Sequence, residues 1–129
     1  MNIAYETILE QVRACIANAV NVPVVIGPLP PTGGVGVTMA SGSVDRDLAG
    51  NAMVKMRVGI NVKLATQQDA AAAISDAHAA LADFTAVGNS WQITGCSVQS
   101  TPAAVRQESD GSWLVLSTCT VRATFYSEV

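Results

Sequence analysis

Few residues of this sequence have the type and spacing that chemistry requires. His78 is the single histidine, and catalysis by a histidine needs an orienting acid and a nucleophile beside it. Asp76 and Asp83 share its predicted helix, but their spacing places neither directly beside it. A metal site would need further ligands at suitable spacing, and the sequence offers none. We therefore interpret His78 as a residue at the boundary of a helix and predict no catalytic and no metal-binding residue.

The three cysteines give no sign of redox or metal chemistry. Cys15 lies in a helical pattern, whereas Cys96 and Cys119 lie in strand patterns. Their number is odd and no pair has metal-ligand spacing, so neither a disulfide framework nor a metal site is predicted. We interpret all three as small buried hydrophobic residues in a reducing compartment.

Two loop motifs carry groups that some active sites use. The glycine-rich run Gly33–Gly36 lacks the lysine and the serine or threonine that hold phosphates, so it predicts a flexible loop and no cofactor. Asp45, Arg46 and Asp47 form the densest charge cluster of the chain. Paired carboxylates can act as acid and base, but at this spacing in a loop they favour a solvated site or an intersubunit salt bridge.

One strand pattern carries an excess of positive charge. Residues 53–64 alternate apolar and polar side chains, which predicts a strand with one face in the core. The other face carries Lys55, Arg57 and Lys63, and Arg122 of the last strand would extend this patch if the two faces coincide. The patch could contact phosphate or an acidic neighbour, or it could be a solvated sheet face. In a ring it could line a channel for DNA, with weak contacts that have no sequence preference.

The composition of the chain limits the classes of function that it can have. Only 13% of the 129 residues are charged, against about 25% in an ordinary soluble domain. A surface poor in charge is typical of proteins that contact other subunits, although an alanine-rich sequence could also be merely bland. The net charge of −3 argues against a dedicated nucleic-acid binder. No apolar run approaches the ~20 residues of a membrane span, and no secretory signal is evident.

The length and the hydrophobic pattern predict a single domain over residues 1–129. Residues 4–19 predict an amphipathic helix, and residues 24–26 a short strand. The apolar stripe of the helix consists of Tyr5, Leu9, Val12, Ile16 and Ala19. Prolines and glycines interrupt the next segment, so residues 27–52 are predicted as an extended loop, or as a long arm with a poorly specified hairpin.

Residues 66–86 predict a second helix with two different faces. Thr66 is a suitable N-cap, and Asp69 stands where a capping box would place an acidic residue. One stripe should pack on the sheet and consists of Ala70, Ile74, Ala77, Leu81 and Phe84. The opposite stripe contains only small residues, namely Ala72, Ser75, Ala79, Ala82 and Ala86. It predicts close packing against a neighbouring subunit or element, or else a harmless surface of good helix formers.

Residues 91–99 and 113–126 predict two long strands that form a closing hairpin. Asp110 and Gly111 favour a two-residue turn between them, and Pro102 should break or bulge the incoming strand. The predicted fold class is therefore α+β, with a mainly antiparallel sheet, two helices on one face and a long arm rich in proline and glycine.

In the order and length of these elements, the sequence resembles the tail terminator proteins of long-tailed bacteriophages, also called tail completion or minor capsid proteins. The resemblance rests on the helix Tyr5–Ala19, the arm Gly27–Gly50, the basic strand Val54–Leu64 that runs into the helix Thr66–Ala86, and the hairpin Trp91–Tyr126. It covers nearly the whole chain and depends on architecture, without a diagnostic motif.

The resemblance implies a structural role without enzymatic activity or cofactor, because no residue of these proteins is catalytic. Tail terminators form a hexameric ring on the last ring of the tail tube, stop its growth and present the surface that joins the head. The implied partners are further copies of the chain, the tail tube protein and head–tail connector proteins. DNA would only pass through the lumen, and no membrane is involved. The implied location is the head-proximal end of the virion tail, assembled in the cytoplasm of the bacterial host.

Two sets of residues are the candidates for this role. The candidate subunit interface consists of Ala72, Ser75, Ala79, Ala82 and Ala86 together with Asp45, Arg46 and Asp47. The candidate lumen or partner surface consists of Lys55, Arg57, Lys63 and Arg122.

Other functions remain open on the sequence alone. A head–tail joining protein or a tail-tube protein would show the same composition and pattern of elements. From another class, a small dimeric enzyme or ligand-binding domain would need a concave site with convergent polar groups. The residues available for such a site would be His78, the Asp45–Asp47 cluster and the cysteines. A third possibility is a binding module that adds its exposed edge strand to a partner.

Overall fold

A computed structural model describes residues 3–29, 31–98 and 104–127 of the chain. In these ranges the helices are α1 (Tyr5–Ala17) and α2 (Gln67–Leu81). The strands are β1 (Val24–Ile26), β2 (Gly34–Arg46), β3 (Ala52–Leu64), β4 (Ala86–Val87), β5 (Trp91–Val98), β6 (Ala104–Gln107) and β7 (Trp113–Phe125).

Within these ranges the strands form one seven-stranded sheet in the order β1-β2-β3-β7-β5-β4, and β6 also pairs with β7. All of the pairs are antiparallel except β1 with β2. The central pair is β3 with β7, in which Ala52 lies opposite Phe125 and Leu64 lies opposite Trp113. The predicted α+β class with a mainly antiparallel sheet is therefore confirmed.

The core lies between one face of this sheet and the two helices. Strand β3 supplies its centre, because the alternation predicted for residues 53–64 is real: its inward side chains are at most 2% exposed. They are Val54, Met56, Val58, Ile60 and Val62. Residues of both helices join the same hydrophobic cluster, so the helices cover one face and leave the other face uncovered by helix.

Helix α1 buries a slightly different stripe from the predicted one. Ile8, Val12 and Ile16 are at most 1% exposed, whereas Tyr5 and Leu9 flank this stripe and are only partly buried. The helix ends at Ala17, so Ala19 lies outside it and is exposed. The buried residues of α1 are spaced by four, which is the spacing of neighbouring side chains on a helix surface.

Helix α2 begins as predicted and ends earlier. The Thr66 hydroxyl accepts a hydrogen bond from the backbone N–H of Asp69 at 3.1 Å, so the N-cap is confirmed. The helix stops at Leu81, and the prediction of a helix to residue 86 is wrong. Ala86 belongs to β4, where it pairs with Ile93. Pairing with β5 outweighs the helix propensity of this alanine, because propensity is a weak prior that tertiary contacts override.

The segment 27–52 is not an extended loop. It contains β2, whose residues Gly34–Arg46 pair with Lys63–Ala52 of β3, so of the two predicted alternatives the hairpin is the one observed. This hairpin does not project as a free arm, because β7 flanks the other edge of β3 along its whole length. The sequence pattern did not reveal β2, because glycine and serine have low strand propensity. Pairing with β3, in which apolar and polar residues alternate regularly, compensates for this low propensity.

The closing hairpin is also observed, with a longer turn than predicted. Glu108 N–H bonds to the carbonyl of Ser112 at 2.7 Å and Gly111 N–H bonds to Glu108 at 3.0 Å. Three residues therefore close the hairpin, with Gly111 at a φ of 89°. A glycine at positive φ is the usual ending of a three-residue loop. Pro102, predicted to break the incoming strand, lies outside the described residues.

Candidate assembly surfaces

The histidine lies at the helix boundary as predicted, but it has a hydroxyl partner. His78 Nε2 is 2.8 Å from Ser117 Oγ, and burial lowers the pKa of the imidazole below 6.5. A serine–histidine pair can be a nucleophile and its base, but Ser117 is only 2% exposed, beneath α2 in the core. No substrate can reach its hydroxyl, so the pair joins the helix to the sheet and satisfies the buried serine.

The cysteines approach one another without forming a disulfide. Cys96 and Cys119 are buried and Cys15 is partly buried, and all three are free thiols. The hydrogen bond that the Cys119 thiol donates to Cys96 and burial both raise the pKa of Cys119, which keeps this thiol protonated. Among the described residues, no group of three or more His, Cys, Asp or Glu side chains could hold a metal ion. The cysteines act as core residues, as the sequence predicted.

The acidic cluster lies at the end of the β2–β3 hairpin. Asp45 and Arg46 are the last residues of β2, opposite Met53 and Ala52, and Asp47 begins the turn. The prediction of a loop position is wrong for the first two residues. The cluster contacts neither His78 nor any cysteine, so the ingredients of an enzyme site are not brought together.

A cleft of about 470 Å³ lies at the other end of the hairpin. Lys63 and Asp110 face each other across it, with Nζ and Oδ2 3.3 Å apart. The hydroxyl and N–H of Ser112 also donate to this carboxylate, and the pKa of Asp110 is lowered to about 2, chiefly by the hydroxyl. These polar groups satisfy one another. The cleft therefore presents an ion pair whose carboxylate is already engaged by Lys63 and Ser112.

The predicted basic patch is present, but one of its four residues lies apart from the other three. Lys55 and Arg122 lie directly opposite each other on β3 and β7, so the two faces coincide as the prediction required. Arg57 is two residues further along the same face and is exposed, and Arg122 donates to Ser97 Oγ at 2.8 Å. Lys63 is about 25 Å away along the strand and is paired with Asp110. The patch therefore consists of three cations that form no ion pair within the described ranges.

The small-residue stripe of α2 is exposed over most of its length. Ala72, Ser75, Ala79 and the C-cap residue Ala82 all face away from the core. Ala86 is partly buried in β4 and does not continue the stripe. The helix thus presents a flat surface of small side chains on the side opposite the sheet, and its role as an interface stays a prediction.

Sequence reasoning missed the apolar surface of the β2–β3 hairpin. β1 pairs with β2 only from Val35 to Val37, so the rest of β2 is a free sheet edge within the described ranges. Along or just beyond this edge, Met39, Val44 and Leu48 are exposed. A signal was present in the sequence, since a leucine between Asp47 and Gly50 is unusual in a polar turn.

Neither described helix combines the length and the apolar character that a membrane-crossing helix requires.

No protein-family model and no curated protein matches the sequence. A solved structure does match it: a chain of the structure titled "Virion of native gene transfer agent (GTA) particle" superimposes with a TM-score of 0.53 at 17% sequence identity. The match covers 88% of this chain and 84% of that chain. The two chains share a fold. At this identity the likeness concerns the fold alone.

Proposed function

We propose that this protein is a non-enzymatic structural component of a virion tail, in which copies of the chain form a ring. The ring ends polymerisation of the tail tube and joins the tail to the head. The observation that carries the proposal is the fold shared with a chain of a gene transfer agent virion over 88% of the sequence. The candidate catalytic residues, namely His78, the Asp45–Asp47 cluster and the cysteines, do not lie together in one site, which argues against the enzyme and ligand-binding alternatives.

Two surfaces on opposite sides of the molecule support self-assembly. The exposed small-residue stripe of α2 lies on the helix side, and the cations Lys55, Arg57 and Arg122 lie on the open face of the sheet. The stripe offers a flat, uncharged surface for close packing on a neighbouring copy, and repeated head-to-tail contacts close into a ring when the rotation between copies permits. In such a ring the stripe packs against the next subunit.

The sheet face with the three cations is the proposed lumen surface. Lys55 and Arg122 are opposite one another, and like charges at opposed positions of a sheet repel. An anion between them relieves this repulsion, and the phosphates of passing DNA are such anions. The contact would be weak and independent of base sequence, because phosphates carry no sequence information.

Native mass and imaging of the purified chain test the proposal. We expect light scattering and negative-stain microscopy to show a ring of about six subunits, or a monomer that forms one on tail tubes. A reconstruction of that ring should show the Lys55 face at the lumen. A terminator caps the tube, whereas a tube protein copolymerises along it and a head–tail joining protein binds without stopping growth. A stable monomer or dimer that never caps a tube contradicts the proposal.

A matched pair of helix variants tests the interface. Ala79→Glu should abolish ring formation without unfolding the chain, because it places a charge on the exposed stripe. Ala79→Ser keeps the side chain small and should assemble like the wild type. Circular dichroism should show the same fold for both variants. Normal assembly of Ala79→Glu would show that the stripe is only a solvent-facing surface.

A further inference from the structure

The turn that joins β2 to β3, Asp47–Asn51, is unusually well fixed by hydrogen bonds; we refer to it as the hairpin tip. Asp47 Oδ1 accepts from the N–H groups of Ala49 and Asn51, each at 2.9 Å, and Oδ2 accepts from Asn51 Nδ2 at 3.0 Å. Ser127 ties the tip to the end of β7, since its N–H donates to Asn51 Oδ1 and its hydroxyl donates to the carbonyl of Ala49, both at 2.9 Å. The tip is therefore held from within and from a neighbouring strand.

This fixed turn presents Leu48 to solvent. Leu48 is the most exposed large hydrophobic residue of the described ranges. Exposed leucines are common on protein surfaces, so exposure alone does not mark Leu48 as a binding residue. A leucine on a rigid turn loses little conformational entropy when it docks, which makes it an efficient binding anchor.

An apolar groove lies on the same hairpin, along the free edge of β2; we refer to it as the edge groove. Its volume is about 190 Å³, which is large enough for a leucine side chain. Its lining residues are Tyr5, Met39, Ala40, Gly42, Ser43, Val44, Val54, Lys55 and Met56. Met39 is 56% exposed and Val44 is 38% exposed, so these side chains are incompletely covered within one copy of the chain.

We propose that Leu48 of one copy of this chain seats in the edge groove of a second copy. This inference rests on the self-assembly in the proposed function and names the contact that carries it. In the structure Leu48 does not occupy the groove of its own copy, because its side chain is fully exposed. Each copy offers one anchor and one groove, so in the proposed ring the contact repeats head-to-tail from subunit to subunit.

The charges around the two features favour a second copy as the occupant. The charged residues within three positions of Leu48 are Asp45, Arg46 and Asp47, with a net charge of −1, and backbone hydrogen bonds, chiefly from Asn51, lower the pKa of Asp47 and keep it ionised. Lys55 is the single ammonium group among the groove residues, and it forms no ion pair within the described ranges. Opposite charges beside an apolar contact fix its orientation and speed its formation.

Removal of the anchor is the first test. Leu48→Ser should weaken self-association of the full chain by about 30-fold, the loss expected when one leucine is no longer buried. Sedimentation at a series of concentrations measures it. At a concentration too low for association, the melting temperature should not change, since the Leu48 side chain is fully exposed. Val105→Ser is the matched control, because Val105 is also exposed but lies on β6, and this variant should associate like the wild type.

Mixed cross-linking identifies the occupant of the groove. One batch carries Leu48→Cys, a second batch with a mass tag carries Met39→Cys, and a short bis-maleimide joins thiols that are close. We expect a tagged–untagged dimer from the mixture, and none when Val105→Cys replaces Met39→Cys. Batches without an introduced cysteine control for the native thiols. Cross-linking to Val105→Cys in place of Met39→Cys overturns the proposal.

The failure of this contact and the failure of the proposed function give different results. A wild-type ring with unchanged association of Leu48→Ser overturns the Leu48 contact and leaves the ring intact. A wild-type chain that neither forms rings nor caps tubes overturns the proposed function and the contact together. Weaker association of Leu48→Ser with the predicted cross-link supports both.

Discussion

Strand β2 has two halves that share one partner strand and differ in their surroundings. Every residue of the base half, 34–37, is buried, whereas every residue of the distal half, 39–46, is exposed to solvent to some degree. Both halves are hydrogen-bonded to β3, so pairing with β3 does not explain the difference. The base half has β1 on its other edge, while the distal half has its edge free within the described residues. Burial of β2 therefore coincides with a neighbour on its second edge, and the free edge is the surface on which we propose that a second copy docks.

Two valines of β2 provide the largest expected contrast. Val37 and Val44 point to the same side of the sheet, opposite Ile60 and Val54, but Val37 is fully buried and Val44 is 38% exposed. Val37→Asp should lower the free energy of unfolding by about 4 kcal/mol or more, because it buries an unpaired charge. Val44→Asp should change it by less than about 0.5 kcal/mol. Urea unfolding of both variants measures the contrast, and equal losses would mean that the distal half belongs to the core.

A smaller effect should appear at the base half as a dependence on pH. Ser117 lies opposite Ile60 in the same row as Val37, and it bonds to His78. Burial lowers the pKa of His78 below 6.5, so the unfolded chain binds this proton more tightly than the folded chain. The contribution of neutral His78 to stability is therefore complete above pH 6.5 and is lost as the pH falls through the folded value.

The variant His78→Gln checks this pH dependence. Glutamine stays neutral and can still bond to the Ser117 hydroxyl, so the fall in unfolding free energy just below pH 6.5 should disappear in the variant. Urea titrations at closely spaced pH values give the result. A variant that keeps the wild-type slope would assign the slope to another group.

The smallest expected effect lies at the hairpin tip. Asp47→Ala removes the acceptor of three hydrogen bonds, so amide hydrogen exchange of Ala49 and Asn51 should accelerate while the global stability stays nearly constant. The pKa of Asp47 is lowered from 3.8, so its support of the turn is present above pH 3.8 and fades in stronger acid. Asp45→Ala is the control, since Asp45 accepts no hydrogen bond within the described ranges. Faster exchange in both variants would indicate a general charge effect.

The predictable parts of the molecule are those with strong local signals. The alternation of β3 and the Thr66 cap each depend on contacts within a few residues, and both are confirmed. The course of β2 was predictable only as one of two alternatives, because Gly42 and its small neighbours lack strand propensity. The extra residue between Met39 and Gly42 also breaks the alternation that a sequence pattern would show.

The candidate surfaces were predictable to different degrees. The small-residue stripe of α2 is visible from helical spacing, although Ala86 was assigned to it wrongly because the helix ends before that residue. The meeting of Lys55 with Arg122 required a register between strands almost 70 residues apart, which no local pattern contains. Leu48 as an anchor depends on hydrogen bonds to Ser127, a residue from the opposite end of the chain.

By itself, the sequence determined the class of the fold, the buried face of β3, the start of α2 and the scarcity of charge. These properties follow from residue type and from spacing over a few residues, where side-chain chemistry and periodicity act directly. Tertiary structure alone decided that β2 pairs along its whole length, that Ser117 satisfies His78, and that only the base half of β2 is covered. These outcomes depend on which distant strand supplies the next edge and which helix lies above it. They are properties of long-range packing, in which each weak local preference gives way to the contacts that the whole core makes available.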